Sequence, residues 1–264
     1  MDRAAVIHAL AVARKVASDL EPLLMEGFRS GTRIEKKGTI DLVTEYDRRA
    51  EAKIRTELLA AFPDHRIVGE EAPPEGEGER VWYVDPIDGT TNFAHGHPFF
   101  GVSLALYEGA VPLVGVVAAP ALGITWWAAR GEGAYRNGER STVSANARLE
   151  DCLCSTGFPY DQWTSAEDNL REHRAFLAAT QGVRRCGAAA LDLCFVSDGS
   201  YDLYWEQKLQ PWDVAAGALM VVEAGGTISD YDGTPVDARG GRLVATNGHV
   251  HEETIATLRE ARSR

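Results

Sequence analysis

The chain has 264 residues, 45% of them hydrophobic and 25% charged, and a formal net charge of −12 from 27 basic and 39 acidic side chains. That length allows one large domain or two fused halves, with a core that needs no disulfide support. The acidic field repels phosphate-rich polymers and no long basic run offsets it, which argues against DNA or RNA as a main ligand; a small anion can still bind where a metal ion supplies local positive charge.

Residues 4 to 28 place apolar side chains on a helical period with charges throughout, which fits an amphipathic helix and not a signal peptide. Gly31 to Thr39 reads as strand and turn. Asp41-Leu-Val-Thr-Glu-Tyr-Asp47 follows, then a helix from about Arg48 to Ala61 that Phe62-Pro63-Asp64 stops. Ile67-Val68 is a short strand entering Gly69-Glu70-Glu71, and the Pro-, Gly- and Glu-rich run after it is an exposed loop. Val81 to Val84 is a buried strand with Asp85 at its end, and Phe99 to Leu106 and Val111 to Val117 continue the strand-rich region. Gly109 to Ala129 carries no charge, but Pro112, Gly115, Pro120 and Gly123 punctuate it, so two strands joined by a turn fit better than a membrane helix. Gly131 to Gly138 ends in Asn137-Gly138, the pair that suits a type I′ hairpin, and its glycines lack dinucleotide-loop spacing.

From about Ser144 strands and helices alternate. Helices are expected at Ser165 to Thr180, Ala188 to Ser197, Val214 to Ala224 and Glu252 to Ala261, and strands near Cys152 to Ser155, Asp202 to Trp205, Thr227 to Ser229 and Leu243 to Ala245. The expected division is an α+β half over residues 1–143 and an α/β half over residues 144–264. Cys152, Cys154, Cys186 and Cys194 show no C-x-x-C spacing and read as buried reduced thiols of a cytoplasmic protein.

Chemistry concentrates in Asp85-Pro86-Ile87-Asp88-Gly89-Thr90-Thr91-Asn92. Two carboxylates three residues apart leave a hydrophobic strand, and Pro86 stiffens the turn so that both can point one way. Burying two like charges so close is costly unless a cation joins them, and carboxylates with a main-chain carbonyl suit Mg²⁺. Gly89-Thr90-Thr91 resembles a helix start whose free N–H groups could hold a phosphate. A second segment, Pro211-Trp212-Asp213 to Gly226, places Asp213 at a helix N-cap position. Glu70 and Glu71, read alone, are acids of a solvated loop, and His95 and His97 are loop residues.

These segments, in this order and spacing, resemble the inositol monophosphatase family across nearly the whole chain. The hairpin from Gly131 to Gly138 and Ser155-Thr-Gly-Phe-Pro159 are also similar to family features. The resemblance implies a layered αβαβα sandwich of the sugar-phosphatase type. It implies hydrolysis of inositol 1-phosphate, with Glu70, Asp85 and the Ile87 carbonyl at a first Mg²⁺ and Asp85, Asp88 and Asp213 at a second. A third, weaker Mg²⁺ would lean on Glu70 and water. Mn²⁺ is an alternative activator, and Li⁺ and Ca²⁺ are expected inhibitors. Thr90, oriented by Asp47, would activate the attacking water with Glu70, and the phosphate would rest against Gly89 and Thr90, with Asp88 and Asp213 also among the substrate-binding residues. Gly187, Ala188 and Ala189 would line the sugar or polyol, and Glu206, seven residues before Asp213, would accept its hydroxyls. The family lysine is Lys36 or Lys37. A homodimer without nucleic-acid or membrane partners is implied too.

Three rival functions remain. Fructose-1,6-bisphosphatase or broad polyol-phosphatase activity fits the same motifs, whereas nucleotide-bisphosphate phosphatases usually carry lysine where this chain has Thr91. A metal-binding regulatory or assembly protein could keep the fold. A glycosidase is disfavoured, because Asp85 and Asp88 share one tight turn and cannot comfortably flank a sugar ring.

Overall fold

The computed structural model describes residues 1–31, 34–36, 38, 42–236 and 241–263, so Lys37 and Asp41 lie outside the described residues. Helix α1 (Arg3–Gly27) buries Ala9, Ala13, Val16, Leu20 and Leu24 on one stripe and starts where Asp2 accepts the Ala5 N–H at 2.8 Å. A ribbon of β1 (Ile34–Lys36) and β2 (Leu42–Thr44) leads to α2 (Glu45–Ala61). This helix starts before the expected Arg48 because Thr44 and Asp47 form a reciprocal capping box.

Strands β3 (Arg66–Gly69) and β4 (Arg80–Asp88) open a sheet that resumes after the short helix α3 (Thr90–Ala94). It continues through β5 (Gly101–Glu108), β6 (Val111–Ala119), β7 (Ile124–Ala129), β8 (Gly133–Arg136) and β9 (Glu139–Ser141), each beside its predecessor. The uncharged stretch is therefore two sheet strands, β6 and β7. Asn137 and Gly138 both take positive φ, 49° and 92°, between β8 and β9, as the hairpin reading requires.

The second sheet alternates with helices: β10 (Leu153–Thr156), α4 (Leu170–Ala179), β11 (Gly182–Arg184), α5 (Ala189–Ser197), β12 (Leu203–Leu209), α6 (Pro211–Glu223), β13 (Thr227–Ser229), β14 (Gly241–Thr246) and α7 (His251–Ser263). Its order is β11-β10-β12-β14-β13, with β10 parallel to both neighbours and β14 antiparallel to both of its own. Helix α4 begins at Leu170 and not at Ser165, because Asn169 sits at φ 68°, outside helical space. Helix α6 begins at Pro211, ahead of the expected Val214, since proline's fixed φ suits a first helical position.

Strand alternation then dictates the layers. Trp82 and Val84 of β4 face Leu20 and Ile54 of α1 and α2, while Tyr83 faces Leu191 and Leu219 of α5 and α6. On β12, Tyr204 faces Leu193 and Val221 of those same helices, and Trp205 faces Phe176 and Leu258 of α4 and α7. Four apolar seams thus separate five layers, α, β, α, β, α, the expected sandwich. Among the described residues no helix is long and apolar enough to cross a membrane. All four cysteines are free; Cys152, Cys154 and Cys194 are buried, whereas Cys186 is only half-buried. Burial pushes the Cys152 and Cys154 thiols up to about 12.

Candidate active site

Strand β4 runs on past the expected end at Val84 and carries both aspartates. Asp85 pairs with Ser103 of β5 and Asp88 with Gly101, so three steps on β4 face two on β5. This bulge bends the strand end and re-aims its side chains. The Asp85 carboxylate accepts the Ile87 N–H at 3.0 Å, which fixes the turn. Asp85 and Asp88 are only 2% and 7% exposed, an exceptional burial for two neighbouring acids.

Behind them, fully buried Asp47 joins α2 to the bulge. Its Oδ2 accepts the Thr44 N–H at 2.8 Å and the Thr44 hydroxyl at 2.6 Å, and its Oδ1 lies 3.0 Å from the Thr90 hydroxyl. The same hydroxyl lies 3.0 Å from the Ile87 carbonyl. One proton cannot serve both acceptors fully, so Thr90 Oγ1 is held in place with lone pairs to offer a water. Burial raises the Asp47 pKa, and the Thr44 and Thr90 hydrogen bonds oppose the rise.

Asp88 reaches across to the helical layer between the two sheets. Its Oδ1 and Oδ2 accept the Ala189 and Ala190 N–H groups at 3.2 and 2.8 Å, at the first turn of α5. Asn92 secures the same junction: its Nδ2 donates to the Phe99 and Cys186 carbonyls, both at 2.7 Å. Gly187 and Ala188 are thereby held beside Gly89.

The loop bearing Glu70 is set by a residue with no sequence-level role. Glu51, 1% exposed on α2, accepts the Glu71 and Ala72 N–H groups at 2.7 and 3.0 Å and the Arg55 Nε–H at 2.8 Å. A Cβ on Gly69 would stand 2.6 Å from the Glu51 carboxylate, so only glycine fits there. Asp213 departs from the N-cap reading. Gln210 is the N-cap of α6 and Asp213 the third helical residue, its carboxylate accepting the Gln210 N–H at 2.7 Å in a capping box.

Half-buried Glu206 rises from β12. Its carboxyl is pushed up to about 7 by burial, against the Tyr204 hydroxyl 2.6 Å from Oε2 and the nearby Arg185 charge. Gly157 gives it room, for a Cβ there would lie 2.1 Å from Oε2.

Glu70, Asp85, Ile87, Asp88, Gly89, Thr90, Gly187, Ala188, Ala189, Glu206 and Asp213 all line one pocket of about 400 Å³, and Asp47 stands behind Thr90. Arg185, Lys208, Gln210 and the segment Gly157 to Tyr160 complete its wall. Burial, then Glu70, Asp88 and Asp213, drive the Asp85 pKa well up; burial, then Asp213, does the same to Asp88. Among the described residues, no set of three or more His, Cys, Asp and Glu side chains draws close enough to make a ready-made metal cage. The donors that line the pocket are all oxygen, and their mutual repulsion is relieved by positive charge. This fits a hard divalent cation that keeps part of its own water, as Mg²⁺ does.

The sequence matches the Inositol monophosphatase family over residues 7–263, and the protein belongs to that family. It is 45% identical to an inositol-1-monophosphatase of Synechocystis over 85% of this chain and 79% of that protein. It is 42% identical to a fructose-1,6-bisphosphatase/inositol-1-monophosphatase of Thermotoga maritima over 90% and 91%. The crystal structure of the extragenic suppressor protein suhB from Bartonella henselae superposes with a TM-score of 0.89 at 37% identity, over 96% of this chain and 99% of that one.

Proposed function

We propose that the protein is a phosphatase that releases phosphate from polyol monophosphates, with inositol 1-phosphate as its principal substrate. The reading rests above all on one pocket that unites a carboxylate cluster, the Asp47-supported Thr90 hydroxyl and Glu206. The family is Mg²⁺-dependent. Glu70, Asp85, Asp88, Asp213 and the Ile87 carbonyl are the groups that would hold two or three such ions. Bound there, Mg²⁺ lowers the pKa of water and neutralises phosphate charge.

The chain's own groups divide the remaining tasks. Thr90 accepts and orients the attacking water, Asp47 holds the threonine hydroxyl, and Glu70 takes up the proton. The N–H groups at Gly89 and Thr90 face the phosphate, and Glu206 accepts hydrogen bonds from the polyol. Positioning and electrostatics of this kind are most of what phosphoryl transfer asks of a protein. A homodimer belongs to the same reading and rests on family likeness alone.

A second substrate class is favoured by Arg185. Among the described residues its guanidinium forms no ion pair, and it lines the pocket beside Gly187 and Glu206. A second phosphate, as in fructose 1,6-bisphosphate, would find a bidentate donor there. The test is phosphate release from inositol 1-phosphate, fructose 1,6-bisphosphate and adenosine 3′,5′-bisphosphate, compared at equal Mg²⁺. Preference for the first is expected; preference for the nucleotide would overturn the polyol reading.

A further inference from the structure

The segment from Gly157 to Asn169, whose first four residues line the pocket, is fastened at three places. At its root, Asn169 Nδ2 donates to the Thr156 hydroxyl at 2.8 Å and the Gly157 carbonyl at 2.6 Å, while its Oδ1 accepts the Trp205 indole N–H at 2.8 Å. Further out, Arg242 of β14 pairs with Glu167 at 2.6 Å. At the third, Lys208 of β12 donates to Asp161 Oδ1 and Oδ2 at 2.8 and 2.6 Å and to Ser165 Oγ at 2.9 Å. Phe158, Pro159 and Tyr160, between the root and Asp161, face the pocket with Glu206 and Lys208.

Lys208 reaches that segment from an unfavourable backbone. Glu206 pairs with Leu243 and Leu209 with Gly241, so three steps on β12 face two on β14, and Lys208 at this bulge takes φ 62°. Side chains with a Cβ rarely adopt that conformation, and it persists only where surrounding contacts hold it. An exposed lysine pair ordinarily contributes little. Here all three ammonium donors have an acceptor, and every acceptor belongs to the segment that closes the pocket.

We infer that Lys208, Asp161 and Ser165 form a latch that sets substrate specificity. By fixing Phe158 to Tyr160 at a set separation from Glu206, the latch shapes the pocket for a ring-sized polyol. The inference rests on the phosphatase reading. Lys208 and Asp161 act as positioning residues and leave the chemistry at Thr90 and the carboxylates untouched.

The experiment compares wild type, Asp161→Asn, Ser165→Ala and the reversed pair Asp161→Lys with Lys208→Asp on inositol 1-phosphate and glycerol 2-phosphate. Aspartate tolerates the left-handed region better than most residues, so the reversed pair can keep the bulge. Asp161→Asn should raise KM for inositol 1-phosphate about 5- to 10-fold with kcat within about 2-fold, and leave KM for glycerol 2-phosphate within about 2-fold. Ser165→Ala should move KM the same way by less, and the reversed pair should recover most of the loss. Hydrogen exchange should show faster amides over residues 158–168 in Asp161→Asn. Equal KM changes on the two esters would overturn the proposal, as would faster exchange with an unchanged KM for inositol 1-phosphate. Absence of Mg²⁺-dependent release by the wild type from either ester would overturn the phosphatase reading itself, and the latch with it, before any variant is compared.

Discussion

Asp88 Oδ2 accepts the Ala190 N–H at 2.8 Å across 102 residues of sequence, so a side chain ending the first sheet's β4 closes the first turn of a helix that packs on both sheets. Partial positive charge at that helix start favours the ionised carboxylate, while burial and Asp213 disfavour it. A cation held in the pocket would settle the conflict in favour of charge. The acid is therefore both the hinge pin between the sheets and a candidate ligand.

Asp85→Asn, Asp88→Asn and Asp213→Asn should each lower turnover by at least about 10- to 100-fold, the loss typical of disturbing even a metal's outer partners. Near-wild-type turnover in any one of them removes that residue from the ligand set. Steady-state rates at saturating Mg²⁺ give the answer.

Thr90→Val keeps the shape of the side chain and deletes the hydroxyl, leaving Asp47 Oδ1 buried without its 3.0 Å partner. Turnover should fall about 100-fold, whereas Thr90→Ser should stay within about 5-fold of wild type. A loss in Thr90→Ser with Thr90→Val near wild type would show that the methyl group, and not the hydroxyl, matters.

Glu206→Gln should raise KM for inositol 1-phosphate more than for glycerol 2-phosphate, which has no ring hydroxyls to read. Gly157→Ala should reproduce the effect from the other side, because its Cβ would press on Oε2 from 2.1 Å. Kinetics on the paired esters separate this from a general loss of activity, which would shift both substrates alike.

Arg185→Ala should lower kcat/KM for fructose 1,6-bisphosphate about 10- to 100-fold and barely change it for fructose 1-phosphate, the scale of one charge-assisted phosphate contact. Identical behaviour on both esters would leave Arg185 without a role in binding a second phosphate.

The two buried histidines should cost stability on mild acidification, while the buried pocket acids, with raised pKa values, pull the other way. His65 Nδ1 accepts the Trp82 indole N–H at 3.0 Å, and buried His251 bridges the Thr246 and Ser229 hydroxyls at 3.0 and 2.9 Å. Burial lowers both pKa values from 6.5. At these two positions the folded state thus prefers the neutral ring, and below pH 6.5 each histidine binds more protons in the unfolded chain than in the native one. The urea midpoint of wild type relative to His65→Phe should hold above that pH and decline beneath it, since the variant keeps the acids and removes one histidine. A wild-type midpoint that gains on that of the variant as the pH drops would contradict this.

The sequence made the Asp85 to Asn92 run legible because its chemistry is local: a proline-stiffened pair of acids at the end of an apolar strand. It did not show that the strand continues through Asp88, since the bulge exists only against β5. Glu51 left a trace, a charge on the stripe of Ala50, Ile54 and Leu58, whose meaning depended on a loop 20 residues away. Gly69 and Gly157 stood out only as members of their segments, yet their purpose is to make room for carboxylates from other elements. Asn92 and Lys208 act through partners 94 and 47 residues distant, which no periodicity reports. Asp213 was misplaced by three positions along its cap because Pro211 starts the helix earlier than the apolar pattern does.

The most direct test is phosphate release from inositol 1-phosphate by wild type and Asp213→Asn, each with Mg²⁺ and with excess EDTA. Release by the wild type should need Mg²⁺ and be abolished by EDTA, with little from the variant under either condition. Release that survives EDTA, or that the variant performs as well as the wild type, would contradict a metal-dependent site built on these carboxylates.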